Sequence, residues 1–236
     1  MSRPDDIDRF YDLLGGLEER VGGTQCLDDC TGYMDWPERG IYVFFAPDER
    51  RAEGPERRVT RIGTHAVSSG SGTTLWNRLR NHRGSLRGSY PDGGNHRGSV
   101  FRERVGEALI EREGLDNRFP EWANGQSASS EIREQEHSHE QQVSEYIRRL
   151  PFLWVRVDDE PGPNSLRAYL ERNSIALLSN YGRSSVDPRS PDWLGRESPC
   201  KKIRESGLWN INHVDEEYDS QFMDVLDDKI TETKPI

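Results

Sequence analysis

The chain has 236 residues and a formal net charge of −10, with 32% hydrophobic and 31% charged residues. No run reaches the roughly eighteen apolar residues of a membrane span, and the opening Met1-Ser2-Arg3-Pro4-Asp5-Asp6 has no apolar segment of the kind a signal peptide needs. Three cysteines, Cys26, Cys30 and Cys200, cannot build a disulfide framework, so a cytoplasmic protein is expected.

In chain order, Ile7, Phe10, Leu13, Leu14, Leu17 and Val21 recur at helical spacing and predict a helix over residues 5–21, ended by Gly22-Gly23. Residues 24–39 read as irregular. Gly40 to Ala46 is a short apolar, β-branched and aromatic run, which predicts a buried strand. Pro47 to Glu56 reads as a polar turn, and Arg57 to Gly63 as the partner strand of a hairpin. Ser68 to Thr74 is a loop in which Thr73 or Thr74 can cap a short helix, Leu75 to His82. A Gly- and Arg-rich loop (83–98) precedes a helix from about Ser99 to Glu113. A very polar helix follows over 131–150, and Phe152 to Val157 makes a third strand. Ser165 caps a helix from Leu166 to Leu178, and the tail holds short helices near Lys201–Glu205 and Glu217–Ile230. The tail's Ser206-Gly207-Leu208-Trp209-Asn210 reads as an aromatic anchor. The tetrapeptide Asn-His-Arg-Gly occurs twice, at 81–84 and 95–98, either by chance or as two matching phosphate-facing turns.

An acidic chain repels a polyanion, but the charge is unevenly placed. Between Arg78 and Arg104 there are seven arginines against Asp92 and Glu103, while acidic residues gather at 215–219 and 224–228. A basic middle is expected. Arginine is the better bidentate phosphate ligand, although genomic base composition or a salty cytoplasm is the simpler reason for so much of it.

Five features fall in a fixed order. Gly40-Ile41-Tyr42 opens the first strand and Arg61-Ile62-Gly63 closes the second. Arg78 and His82, four apart, share one helix face. Glu171 lies in the helix after the third strand, and Asn180 lies just past that helix. This order resembles the GIY-YIG nuclease superfamily over residues 40–82 and 152–181, with "LERNSIALLSNY" the closer half of the match. One departure is plain: Arg61 stands where the second motif has tyrosine. Either Arg61 itself contacts a phosphate, or His65, two residues beyond the motif, fills the gap.

The resemblance implies an α/β chain of the α+β type: a small three-stranded mixed or antiparallel sheet flanked by helices. The nuclease domain would span 40–182, with a helical insertion at about 83–151 and helical extensions over 1–39 and 183–236. It implies a Mg²⁺-dependent endonuclease (Mn²⁺ serving as well) that cuts DNA in restriction, defence or repair, with RNA not excluded. Glu171 would hold the metal, since a hard cation keeps its waters and needs few carboxylates. Arg78 would bind the scissile phosphate through bonds that strengthen as charge develops. Tyr42 would act as base or water-positioning phenol. Because a phenol keeps its proton at neutral pH, it needs a nearby cation or an acceptor such as His82; His96 is the rival histidine. Asn180 would orient the helix end or a bound water. The alternatives are an inactive binding protein that keeps the fold, with Arg61 as the sign of decay, and an RNA-directed nuclease. A restriction-type role would want a dimer, and no membrane partner is expected. His137 and His139 point to different helix faces, and Cys26 and Cys30 lack a zinc-like partner cluster.

Overall fold

Capping residues set most helix boundaries. The computed structural model describes residues 2–236. Helix α1 spans Arg3–Val21 and starts earlier than its apolar spacing suggests, because Ser2 and Asp5 form a reciprocal capping box ahead of the first apolar turn; Gly22, at φ 82°, ends it. Thr74 caps α2 (Leu75–Arg83), Ser99 caps α3 (Val100–Glu113), Ser129 caps α4 (Ser130–Arg148) and Ser165 caps α5 (Leu166–Leu178). The tail carries α6 (Lys201–Ser206) and α7 (Phe222–Glu232). The last helix begins five residues later than expected. Asp219 is held in a turn, its N–H donating to Asn173 Oδ1 and its carboxylate accepting from Tyr169 Oη, so 217–221 cannot wind.

The three strands are β1 (Gly40–Arg50), β2 (Arg57–Gly63) and β3 (Phe152–Arg156), in the order β2-β1-β3. All pairing is antiparallel. β1 runs four residues past Ala46, through Pro47, because an irregular register still pairs Arg50 with Arg57; the polar turn shrinks accordingly.

Both edges of this small sheet are covered, as edge strands require. At β3, Phe152 exchanges two backbone hydrogen bonds with Gln25. At β2, Trp209 N–H donates to Thr60 O, and the Asn210 amide accepts from Ile62 N–H (3.1 Å) and donates to Ile62 O (2.8 Å). The tail therefore does more than anchor an aromatic: it supplies a surrogate strand.

One hydrophobic cluster runs from Ile7 in α1 to Ile230 in α7 and includes Phe101 and Val105 of the 83–151 segment. Side chains alternate across the sheet, so Tyr42 and Phe44 share a face. That face meets α2 and α3, with Phe44 against Phe101 at 5.6 Å between ring centroids.

The expected basic middle is neutralised in its second half only, at three of its seven arginines. Arg97 pairs with Glu136 (2.6 Å), Arg102 with Glu140 (2.5 Å) and Arg104 with Glu107 (2.7 Å). All three carboxylates come from α4 or the next turn of α3, beyond the local stretch in which the arginines were counted. His96 belongs to the same buried network, its Nδ1 on Glu140 and its ring stacked on Trp122.

Candidate active site

Register places the first two motif elements against each other, because Tyr42 pairs directly with Gly63 across β1 and β2. A Cβ built on Gly63 would lie 2.2 Å from Tyr42 Oη and 2.3 Å from Cζ, so only glycine leaves room for the phenol. Gly63→Ala is expected to displace the ring and to destabilise the chain by about 1–3 kcal/mol, as overpacking does. Thermal melting together with a cleavage assay checks this; unchanged values for both would refute the packing argument.

Tyr42 Oη lies 2.7 Å from His82 Nε2, and His82 Nδ1 lies 2.8 Å from Ser99 Oγ. Ser99 Oγ also accepts Arg102 N–H as the α3 cap. Tyr42 and His82 are both fully buried. Burial, followed by the charges of Arg78, Arg61 and Arg102, holds His82 well below the usual imidazole range. The ring is therefore neutral at neutral pH, with one nitrogen able to accept.

Glu171, on the second turn of α5, reaches the end of β2, where Oε1 accepts Thr64 N–H at 3.1 Å. Burial pushes its carboxyl above the usual range, against the pull of Arg61, His213, the Thr64 N–H and Arg78. Arg61 and Arg78 thus bear on both Glu171 and His82. The carboxylate opens on a cleft of about 550 Å³ lined also by Tyr169, Arg172 and His213.

Arg61 is buried, its guanidinium 4.6 Å from the centre of the Phe101 ring with one bond to Trp209 O. Arg78 is half-buried; its Nε has no partner, and the group makes no ion pair among the described residues.

Two expected residues are engaged elsewhere. His65 sits near Arg78, but Nε2 accepts Gly40 N–H (3.3 Å) and Nδ1 bonds Thr73 O (2.8 Å), leaving neither nitrogen for a phosphate. Burial, helped by Arg167, Arg78 and Arg39, lowers it to about 4 against the Thr73 bond. Asn180 does not join the cluster: its Oδ1 accepts from Arg3 and Val186 N–H, and its Nδ2 donates to Asp187 O. It fastens the end of α5 to the N-terminus instead. Ser99, the Thr64 backbone and His213 were not anticipated. Of these only Ser99, a visible helix cap, left any trace in the sequence.

The model of the GIY-YIG domain family matches the chain over residues 1–236. The chain belongs to the GIY-YIG family. No curated protein and no solved structure matches it. GIY-YIG membership implies a nuclease-type function, and nucleases of this family act on nucleic acids, typically with a divalent metal ion. Among the described residues no group of three or more His, Cys, Asp or Glu is placed to hold a metal, and no helix is long and apolar enough to cross a membrane. A single-carboxylate site fits the donor set: Thr64 engages one oxygen of Glu171, and the other has no protein partner.

Proposed function

We propose that this GIY-YIG chain is a metal-dependent endonuclease that hydrolyses phosphodiester bonds in DNA. The observation that carries it is the convergence at the end of β2, where Tyr42, bonded to His82, pairs with Gly63 and Glu171 accepts the N–H of the adjacent Thr64. Glu171 would hold Mg²⁺ or Mn²⁺, which supplies Lewis-acid stabilisation of charge on the phosphoryl oxygens. Tyr42 takes a proton from the attacking water as its own phenolic proton passes to His82 Nε2. Ser99 Oγ accepts His82 Nδ1–H and so selects the tautomer whose Nε2 is free to accept. Arg78, with no partner to leave, binds the scissile phosphate. Arg61 adds fixed positive charge from within the core, and His65 braces the loop after β2 against β1. The three free thiols agree with a cytoplasmic setting.

One observation favours a second reading. Tyr42 and His82 have no solvent exposure, so water and phosphate reach the phenol only if the cover over it opens. A chain that never opens would bind nucleic acid without cutting it. Plasmid nicking with Mg²⁺ or Mn²⁺ against a chelated control separates the two. Metal-dependent nicking is expected; binding with no cutting of any DNA or RNA form would establish the second reading.

A further inference from the structure

The repeated tetrapeptide acquires a meaning in the fold. His82 and His96 both point inward, Arg83 donates to Cys30 O and Arg97 to Glu136. What each copy leaves outside is its first and last residue: Asn81 with Gly84, and Asn95 with Gly98 line one cleft of about 910 Å³. Neither asparagine is buried, and neither side chain has a hydrogen-bond partner among the described residues. Arg80, Arg83 and Arg87 also line the cleft, and no Asp or Glu does. Arg80 and Arg87 are exposed and make no ion pair among the described residues. In a chain of net charge −10, an acid-free cleft with three arginines is a local exception.

The rim carries Tyr33, at 101% relative exposure. Single exposed aromatics are common, but this one stands on a built support. Trp36 stacks on Trp76 at 5.1 Å, and Trp36 Nε1 donates to Thr31 O at 2.7 Å. Tyr33 N–H donates to Thr31 Oγ1 at 3.3 Å. A Cβ on Gly32 would come within 2.6 Å of Trp76 Nε1, so the turn seats directly on the indole. A fixed turn therefore holds a bare ring beside unpaired guanidinium groups and free amides.

We propose that this cleft takes an unpaired stretch of a nucleic-acid strand, its phosphates on Arg80 and Arg87 and one base stacked on Tyr33. A ring face can stack only on a base whose own face is free, which bases inside a duplex lack. The inference rests on the nucleic-acid reading for its partner and not on catalysis. Arg80 and Arg83 lie on the face of α2 turned away from Arg78 and His82, so the cleft and the candidate site are separated by the width of that helix, about 10 Å. The substrates this implies carry single-stranded nucleotides beside the cut.

The test uses the full chain in chelator, with fluorescence anisotropy on a labelled single-stranded 20-mer, its blunt duplex and the RNA strand of the same sequence. Single strand is expected to bind tighter than duplex. Tyr33→Ala weakens it by about tenfold or more and leaves duplex binding unchanged. Arg80→Ala with Arg87→Ala flattens the slope of log K against log salt by about 1.4, at roughly 0.7 per phosphate. A preference for either the DNA or the RNA strand supports the cleft and identifies the sugar. Wild-type behaviour in both variants, equal binding of strand and duplex, or no binding at all would overturn it. All curves are taken without metal, so a failure of catalysis leaves them unmoved and the two failures are told apart.

Discussion

Glu171→Gln is expected to abolish cleavage, by at least about a thousandfold, and at the same time to raise the melting temperature at pH 8 in chelator. The first effect follows from losing the one carboxylate in the cluster, since transition-state charge stabilisation by a bound metal is worth several kcal/mol. The second follows from the raised carboxyl. The folded chain holds this proton more tightly than the unfolded chain does. Between the ordinary value and the raised one, the folded state therefore binds more protons, and stability falls as pH rises through that window. Above it the ionised carboxylate is a standing cost of the fold. Glutamine removes the charge and keeps an oxygen for Thr64 N–H, the one bond that Glu171 Oε1 makes. The gap in melting temperature should close near pH 4. Millimolar Mg²⁺ should raise the melting temperature of the wild type and not of the variant. Activity in the wild type should fall as pH drops toward the raised carboxyl range, because the metal competes with that proton. Full activity in Glu171→Gln would remove the nuclease proposal. Reduced activity with no change in metal response would reassign the carboxylate.

Local strings carried the parts of the site that local structure fixes. Gly40-Ile41-Tyr42 and Arg61-Ile62-Gly63 lie on the two strands of one hairpin, as their apolar runs indicate, whereas the meeting of Tyr42 with Gly63 also depends on register shifts between Phe44 and Phe45 and between Phe45 and Arg50. Arg78 and His82 share a face through helical periodicity alone, and Ser165 marked the start of the Glu171 helix. What could not be read depends on where distant elements dock. Ser99 is 17 residues from His82 and meets it only because α3 packs beneath β1 and α2. Asn180 looked like a site residue from its place after α5, yet the N-terminal Arg3 and the 186–187 turn claim its amide. His65 lies beside the motif, but the backbone of Gly40 and Thr73 takes both its nitrogens. The charge count over 78–104 held for Arg78 to Arg87 and overstated the rest for the same reason: carboxylates of α4 at Glu136 and Glu140 reach Arg97 and Arg102 only through tertiary packing.

Glu140→Ala is expected to lower stability by about 3–5 kcal/mol, the usual result of leaving one member of a buried ion pair alone. For a chain of this size that corresponds to roughly 6–20 °C in melting temperature. Arg102 has no solvent exposure. Its Nε and Nη2 both reach Glu140 Oε2, at 3.0 and 2.5 Å, while Glu140 Oε1 accepts from His96 N–H and Nδ1 at 2.6 and 2.9 Å. Burial alone would raise the Glu140 carboxyl; the His96 and Arg102 bonds reverse this and lower it to about 2. Its contribution to stability is thus complete above the ordinary carboxylate range and is lost as pH falls toward 2. The variant should lack that segment of the acid unfolding curve. The site is tied to the same pair, because Arg102 Nη1 donates to His82 O at 2.8 Å and Arg102 N–H donates to Ser99 Oγ. Replacing both members, Glu140→Leu with Arg102→Met, removes the unpaired charge and should recover most of the lost melting temperature. Cleavage should stay depressed in that double variant, since the guanidinium that holds the His82 carbonyl is gone. Recovery of cutting along with stability would show that His82 is positioned without Arg102. A loss below about 1 kcal/mol in Glu140→Ala would show that the pair is not the keystone between the α4 network and the phenol–imidazole couple.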